Sequence, residues 1–126
     1  MNRPASLLCL SAVLIAPLTI APSVRANAAS VNAAFGNTIV STYPDGRIGK
    51  LWLKPGGDYS AEGRRHDKSS GHWKVSGDKL CLKQSRPIPM FIKFCTPIPA
   101  GGMDHAWAAK AVTGEPIRVQ LVRGQA

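Results

Sequence analysis

Three histidines, three cysteines and seven carboxylates are the side chains with which this 126-residue chain could do acid–base, nucleophilic or metal chemistry. The histidines are His66, His72 and His105, and no HxH or HxxxH spacing brings two of them to one metal. There is no G-x-S-x-G, and no cysteine stays free beside a histidine once Cys81 and Cys95 pair. The carboxylates are scattered and form no recognisable glycosidase pair. The densest grouping is Ser70 to Leu82, where His72, Trp73 and Cys81 lie close in sequence. On this inventory the chain reads as a binding protein rather than an enzyme, with no cofactor and no metal.

The compartment is read from the first residues. Met1-Asn2-Arg3 gives a positive start, Leu7 to Ile20 an apolar run, and Ala26-Asn27-Ala28 the small residues of a cleavage site. This is the pattern of a secretory signal peptide over 1–28, with cleavage after Ala26 as an alternative. The apolar run is shorter than the roughly 20 residues of a membrane span. No transmembrane segment is therefore expected in the mature chain, and the expected location is the periplasm or the exterior. Cys9 leaves with the signal, as do Arg3 and Arg25. Removing 28 of the 126 residues leaves 98, with 14 of the 16 Lys+Arg against all 7 Asp+Glu, a net +7. That is one small domain, expected as a monomer. Its charge favours anionic partners such as lipid headgroups or polyanionic glycans and specifies no nucleic acid. Two cysteines in an oxidising compartment imply a disulfide, Cys81 to Cys95.

The elements that would carry these residues are short strands. Residues 29–36 are small and polar and form either a flexible lead-in or one helical turn. The β domain spans 37–126. Strands are expected over 38–43, 47–54, 59–64, 71–76, 79–84, 90–96 and 117–123. Residues 105–111 read as strand or short helix, with their surroundings favouring strand. Asp45-Gly46 is a hairpin signal of the type I′ kind, and Gly77-Asp78 a second tight turn. About eight strands at near-regular spacing imply an all-β meander: a small antiparallel up-and-down barrel or half-barrel, or a small sandwich. Such a barrel is either packed or hollow enough for one small ligand.

Register separates the residues that the sequence crowds together. A two-residue turn at Gly77-Asp78 sets Val75 opposite Leu80, Trp73 opposite Leu82 and Lys74 opposite Cys81. Pairing Cys81 with Cys95 then sets Leu82 opposite Phe94, Lys83 opposite Lys93 and Gln84 opposite Ile92. Both assignments put Trp73, Val75, Leu80, Leu82, Ile92 and Phe94 on one face. A one-residue slip would flip them all, so the agreement tests both. The other face carries the disulfide and a basic patch of Lys74, Lys83 and Lys93. The candidate ligand-lining residues are Trp73, Leu82, Phe94 and Trp52.

At Gly36-Asn37-Thr38, Asp45-Gly46, Gly71-His72-Trp73, Leu80-Cys81-Leu82 and Phe94-Cys95-Thr96 the chain resembles a group of small exported proteobacterial proteins of unknown function. The resemblance covers about residues 36–123 and implies a calycin-like barrel, with no catalytic residues to carry over. A weaker similarity is to periplasmic metalloprotease inhibitors, from which the late cysteines depart. The expectation is an exported binding protein for a small apolar ligand or an anionic envelope component. The alternative is a protein inhibitor or envelope stress factor acting by protein–protein contact. The disulfide is directly testable: the oxidised protein is expected to be lighter by two hydrogens than the reduced form in intact-mass measurement, and two free thiols would refute the pairing.

Overall fold

The computed structural model describes residues 15–17 and 31–126. The expected signal peptide, 1–28, lies outside the described residues apart from 15–17. The domain is all-β, with eight strands: β1 (Thr38–Thr42), β2 (Ile48–Leu53), β3 (Asp58–Glu62), β4 (Lys68–Ser76), β5 (Lys79–Arg86), β6 (Phe94–Pro97), β7 (Trp107–Lys110) and β8 (Pro116–Val122). Residues 105–111 thus supply a strand. All pairings are antiparallel, in the order β6-β5-β4-β3-β2-β1-β8-β7. This is the cyclic order of an up-and-down barrel. It is joined through β1 and β8, where Thr38 faces Val122 and Thr42 faces Arg118. The ladder is interrupted only between β6 and β7, which do not pair.

Local sequence explains the turns. Residues 43–47, 54–58, 63–67 and 111–115 share one construction. In each, the first N–H donates to the fifth carbonyl and the fourth N–H to the first carbonyl. This is the three-residue hairpin loop with a left-handed fourth residue. Glycine fills that place at Gly46, Gly57 and Gly114, while His66 fills it in the remaining turn at φ 66°. Asp45-Gly46 is therefore not a type I′ turn. Asp45 does not adopt positive φ; its Oδ1 instead accepts the Arg47 N–H at 3.0 Å. At Gly77-Asp78 only the glycine is left-handed, and Ser76 faces Lys79 across the two-residue turn.

The central register is the one the turn and the cysteines require. Trp73 faces Leu82, Lys74 faces Cys81, Cys81 faces Cys95 and Leu82 faces Phe94, and the Cys81–Cys95 disulfide is formed. Beyond Phe94 the expectation fails. β6 begins at Phe94 rather than Met90, so Lys83 does not pair with Lys93, nor Gln84 with Ile92. Pro87 and Pro89 have no N–H to give a ladder. The chain instead folds back on the end of β5. The Gln84 side-chain amide donates to the Ile88 carbonyl at 3.0 Å, and the Met90 N–H donates to the Gln84 carbonyl at 3.0 Å. Ile92 is consequently exposed rather than on the inner face. β4 also starts earlier than expected, at Lys68, because Lys68, Ser69 and Ser70 pair with Glu62, Ala61 and Ser60.

The interior is closed at one end. Ala34 and Phe35 donate to the carbonyls of Val31 and Asn32, so the lead-in forms a helical turn. Val31 and Ala34 from this turn are fully buried in the core with Ile39, Leu53, Tyr59, Leu80, Ile98, Met103 and Val119. Phe35 stacks obliquely on Trp73, with centroids 5.7 Å apart. On the outer face of β1, the buried Thr38 hydroxyl donates to the Gly124 carbonyl at 2.7 Å and accepts from Trp52 Nε1 and the Ala126 N–H, each at 2.9 Å. That one oxygen joins β1, β2 and the C-terminal segment.

Gly71 tolerates no side chain. It sits where the β4–β5 register shifts, and a Cβ there would overlap the Lys83 carbonyl oxygen and stand 2.9 Å from Gln84 Cα. Gly71→Ala is expected to cost about 2 kcal/mol or more by overpacking, lowering Tm by ~10 °C in thermal denaturation. An unchanged Tm would show that the two strands separate there at no cost.

Candidate ligand cavity and its rim

Inward-facing residues of the barrel surround a cavity of about 220 Å³. Its wall is apolar, built by side chains such as Ile39, Leu51, Leu82, Phe94, Trp107 and Val119. Strand alternation delivers them: residues 39, 51 and 119 each sit one place away from an outward neighbour. Phe94 and Thr96 of β6 and Trp107 and Ala109 of β7 all line it, so the cavity reaches both sides of the unpaired seam. Tyr43, Gly63, Asp67 and Ser69 line it toward one end. That end carries the β1–β2, β3–β4, β5–β6 and β7–β8 connections, because every pairing is antiparallel. The N-terminal turn plugs the other end.

Of the four residues expected at a ligand site, Leu82 and Phe94 line this cavity. Trp73 is on the inner face but sits at the plugged end, where its Nε1 donates to the Lys54 carbonyl at 2.8 Å. It does not line the cavity. Trp52 does not line it either. Leu51 and Leu53 flank Trp52, and the alternation that turns them inward sends its indole outward to Thr38. The apolar run Leu51-Trp52-Leu53 hides this, since hydrophobicity on both faces carries no period.

The expected basic patch is assembled, though not by direct pairing. Lys74, Lys83 and Lys93 line a groove of about 250 Å³ on the outer face, together with His72 and the disulfide residue Cys81. His72 Nδ1 stands 2.8 Å from Asp58 Oδ1 at its margin. Among the described residues no three His, Cys, Asp or Glu side chains gather as a metal-holding cluster.

The rim contains an arrangement that sequence reasoning missed. Arg64, from the β3–β4 turn, donates to both carboxylate oxygens of Glu115 in the β7–β8 turn, at 2.7 and 3.1 Å. It also lies 3.5 Å from Asp45 Oδ2 and 4.4 Å over the centre of the Tyr43 ring, both in or beside the β1–β2 turn. One guanidinium therefore clasps three of the four rim connections. Thr113 Oγ1 donates to Glu115 Oε1 at 3.0 Å and completes the acceptor's set. Among the described residues, no hydrogen bond or ion pair joins Arg64 to the fourth connection, between β5 and β6. The only sequence signal was the shared five-residue length of the three turns. The same β3–β4 turn carries His66, whose Nδ1 stands 2.9 Å from Glu62 Oε1.

Hydrogen bonding to Arg64, then to Thr113, holds the Glu115 carboxyl below its ordinary value of 4.5. A depressed carboxylate pKa stabilises the fold at pH above the unfolded value, and that contribution disappears as pH falls through the folded value. Arg64→Met is therefore expected to lower Tm by a few degrees at pH 7. The difference should shrink below pH ~4.5 and vanish once Glu115 is protonated in both proteins. A pH-independent difference in Tm would mean that Arg64 acts by packing alone.

Compared with known protein families, curated proteins and solved structures, the chain matches none.

Proposed function

We propose that this protein is an exported carrier or sequestering protein that takes one small, mainly apolar ligand into its barrel. The observation that carries the reading is the cavity of about 220 Å³ walled by apolar side chains and lined at its mouth by Tyr43, Asp67 and Ser69. An apolar cavity of ~150 Å³ is enough to take up benzene, whereas drug-sized ligands occupy ~300–1,000 Å³. The occupant is therefore a compact molecule, somewhat larger than one aromatic ring, whose polar end meets the rim. Export is favoured by the pattern of residues 1–28 and by the Cys81–Cys95 bridge, since such bridges persist in oxidising compartments.

Transfer of the ligand's apolar surface out of water supplies the affinity in this reading. Leu82, Phe94 and Trp107 make the wall against which it packs. The polar rim fixes its orientation, as few and well-placed polar groups do in apolar sites. No bond is made or broken, so the protein's work is to shield and release.

The test is titration with propylbenzene, read from the methyl resonances of Leu82, Met103 and Val119. Those resonances are expected to shift while methyl groups on the outer face stay still. Ala109→Phe, which fills the cavity from β7, is expected to weaken binding by about tenfold or more, a loss of ~1.4 kcal/mol. Shifts that persist unchanged in that variant, or none up to the solubility limit, would count against the lumen as the site.

A further inference from the structure

The exposed large hydrophobic side chains of the barrel are not scattered. They are Ile48, Ile88, Met90, Phe91, Ile92 and Val112. Ile48 is the first residue of β2, Val112 lies in the β7–β8 turn, and the other four lie in the β5–β6 connection. All belong to the end at which the cavity has its rim. Single exposed apolar residues are ordinary, but a contiguous cluster is not. In the β5–β6 connection Phe91 is 97% exposed, Ile92 81%, Ile88 67% and Met90 48%.

This segment is held out rather than folded in. The bonds from Gln84 to Ile88 and from Met90 to Gln84 pin its base to the end of β5. It stands outside the Arg64 clasp that ties the other three rim connections together. Its roots are cationic. Arg86 precedes it, Lys93 follows it, and Lys83 and Lys74 share the adjoining groove with Lys93. Residues 29–126 carry 14 Lys+Arg against 7 Asp+Glu, a net +7. An apolar projection inside a basic collar matches the chemistry of an anionic bilayer: acyl chains beneath, phosphate charge above.

We propose that residues Ile88–Ile92 form a docking tip that inserts among the lipids of an anionic phospholipid surface, with Lys83, Arg86 and Lys93 on the headgroup phosphates. This seats the rim of the barrel against the membrane. The binding is peripheral: no described helix is long and apolar enough to cross a membrane, and none is needed. The proposal stands independently of the lumen reading, since the tip makes its contacts outside the cavity.

Co-sedimentation with vesicles tests it, comparing phosphatidylcholine containing phosphatidylglycerol with phosphatidylcholine alone. The protein is expected to pellet with the anionic vesicles and to be partly released by high salt, as screening shortens the reach of the collar. Phe91→Asp is expected to weaken that association by about tenfold or more, the loss of one buried aromatic side chain. The double variant Lys83→Glu with Lys93→Glu is expected to abolish the preference for anionic vesicles. Phe91→Trp reports insertion directly through a blue shift of its emission on anionic vesicles. Ala109→Phe, which fills the lumen, should leave vesicle binding unchanged, so the two readings fail separately. The proposal is overturned if the Phe91→Trp emission does not move, or if Phe91→Asp pellets like the parent. It is also overturned if Phe91→Asp converts a dimer to a monomer in sedimentation equilibrium while neither form binds vesicles, since a second copy would then cover the tip.

Discussion

A row of antiparallel strands encloses space only when two strands far apart in the chain find each other, and in this protein those are β1 and β8. Their five-residue ladder, from Thr38 against Val122 to Thr42 against Arg118, curls the sheet back on itself. Every other pairing joins strands adjacent in sequence and would exist equally in an open meander. The junction is reinforced from outside by the buried Thr38 hydroxyl, which gathers the Trp52 indole and the C-terminal segment around one oxygen. A buried hydroxyl without partners would be costly; this one has three, so closure and satisfaction of the polar group come together. The lumen, the Arg64 clasp and the common rim of four connections all depend on that closure.

The rim divides chemically into two parts. Three turns of the same five-residue form are drawn together by Arg64, with Tyr43 beneath the guanidinium and Glu115 receiving both its arms. This part is polar and mutually restrained. The β5–β6 connection is apolar, proline-stiffened and fixed only at its own base. The division follows from turn chemistry. Five-residue turns are short and leave their polar tips close enough to interact, whereas the prolines after Arg86 forbid a short return and force a longer excursion.

Much of the fold was legible because its pairings are local. A two-residue turn at Gly77-Asp78 admits one register, and the cysteine pair admits the same one, so the faces of β4, β5 and β6 could be assigned from sequence. The features that escaped have identifiable physical causes. Trp52 lies in an apolar run without alternation, so its side could not be read. Residues 90–93 have strand-forming side chains, but the bonds of Gln84 take the backbone elsewhere. Small, polar residues left the lead-in open between a flexible segment and a helical turn, and gave no period to show that Val31 and Ala34 join the core. The Arg64 clasp joins turns about fifty residues apart, and ion pairs of that kind leave no trace in spacing. Of the cavity-lining residues, Leu82 and Phe94 were readable from the register, whereas Trp107 and Met103 depend on closure.

The interruption between β6 and β7 bears on how much the barrel can hold. In a fully laddered barrel the circumference is fixed by strand number and stagger, and enlarging the bore means breaking main-chain hydrogen bonds. Here the ring is slotted. Side chains rather than ladder bonds border the cavity at the slot, Phe94 and Thr96 on one lip and Trp107 and Ala109 on the other. Parting the lips breaks no ladder bond, so the barrel is compliant in one direction and stiff in the rest. The bore of the barrel is thus bounded along one side by side chains alone, with no main-chain ladder to hold it at a single width.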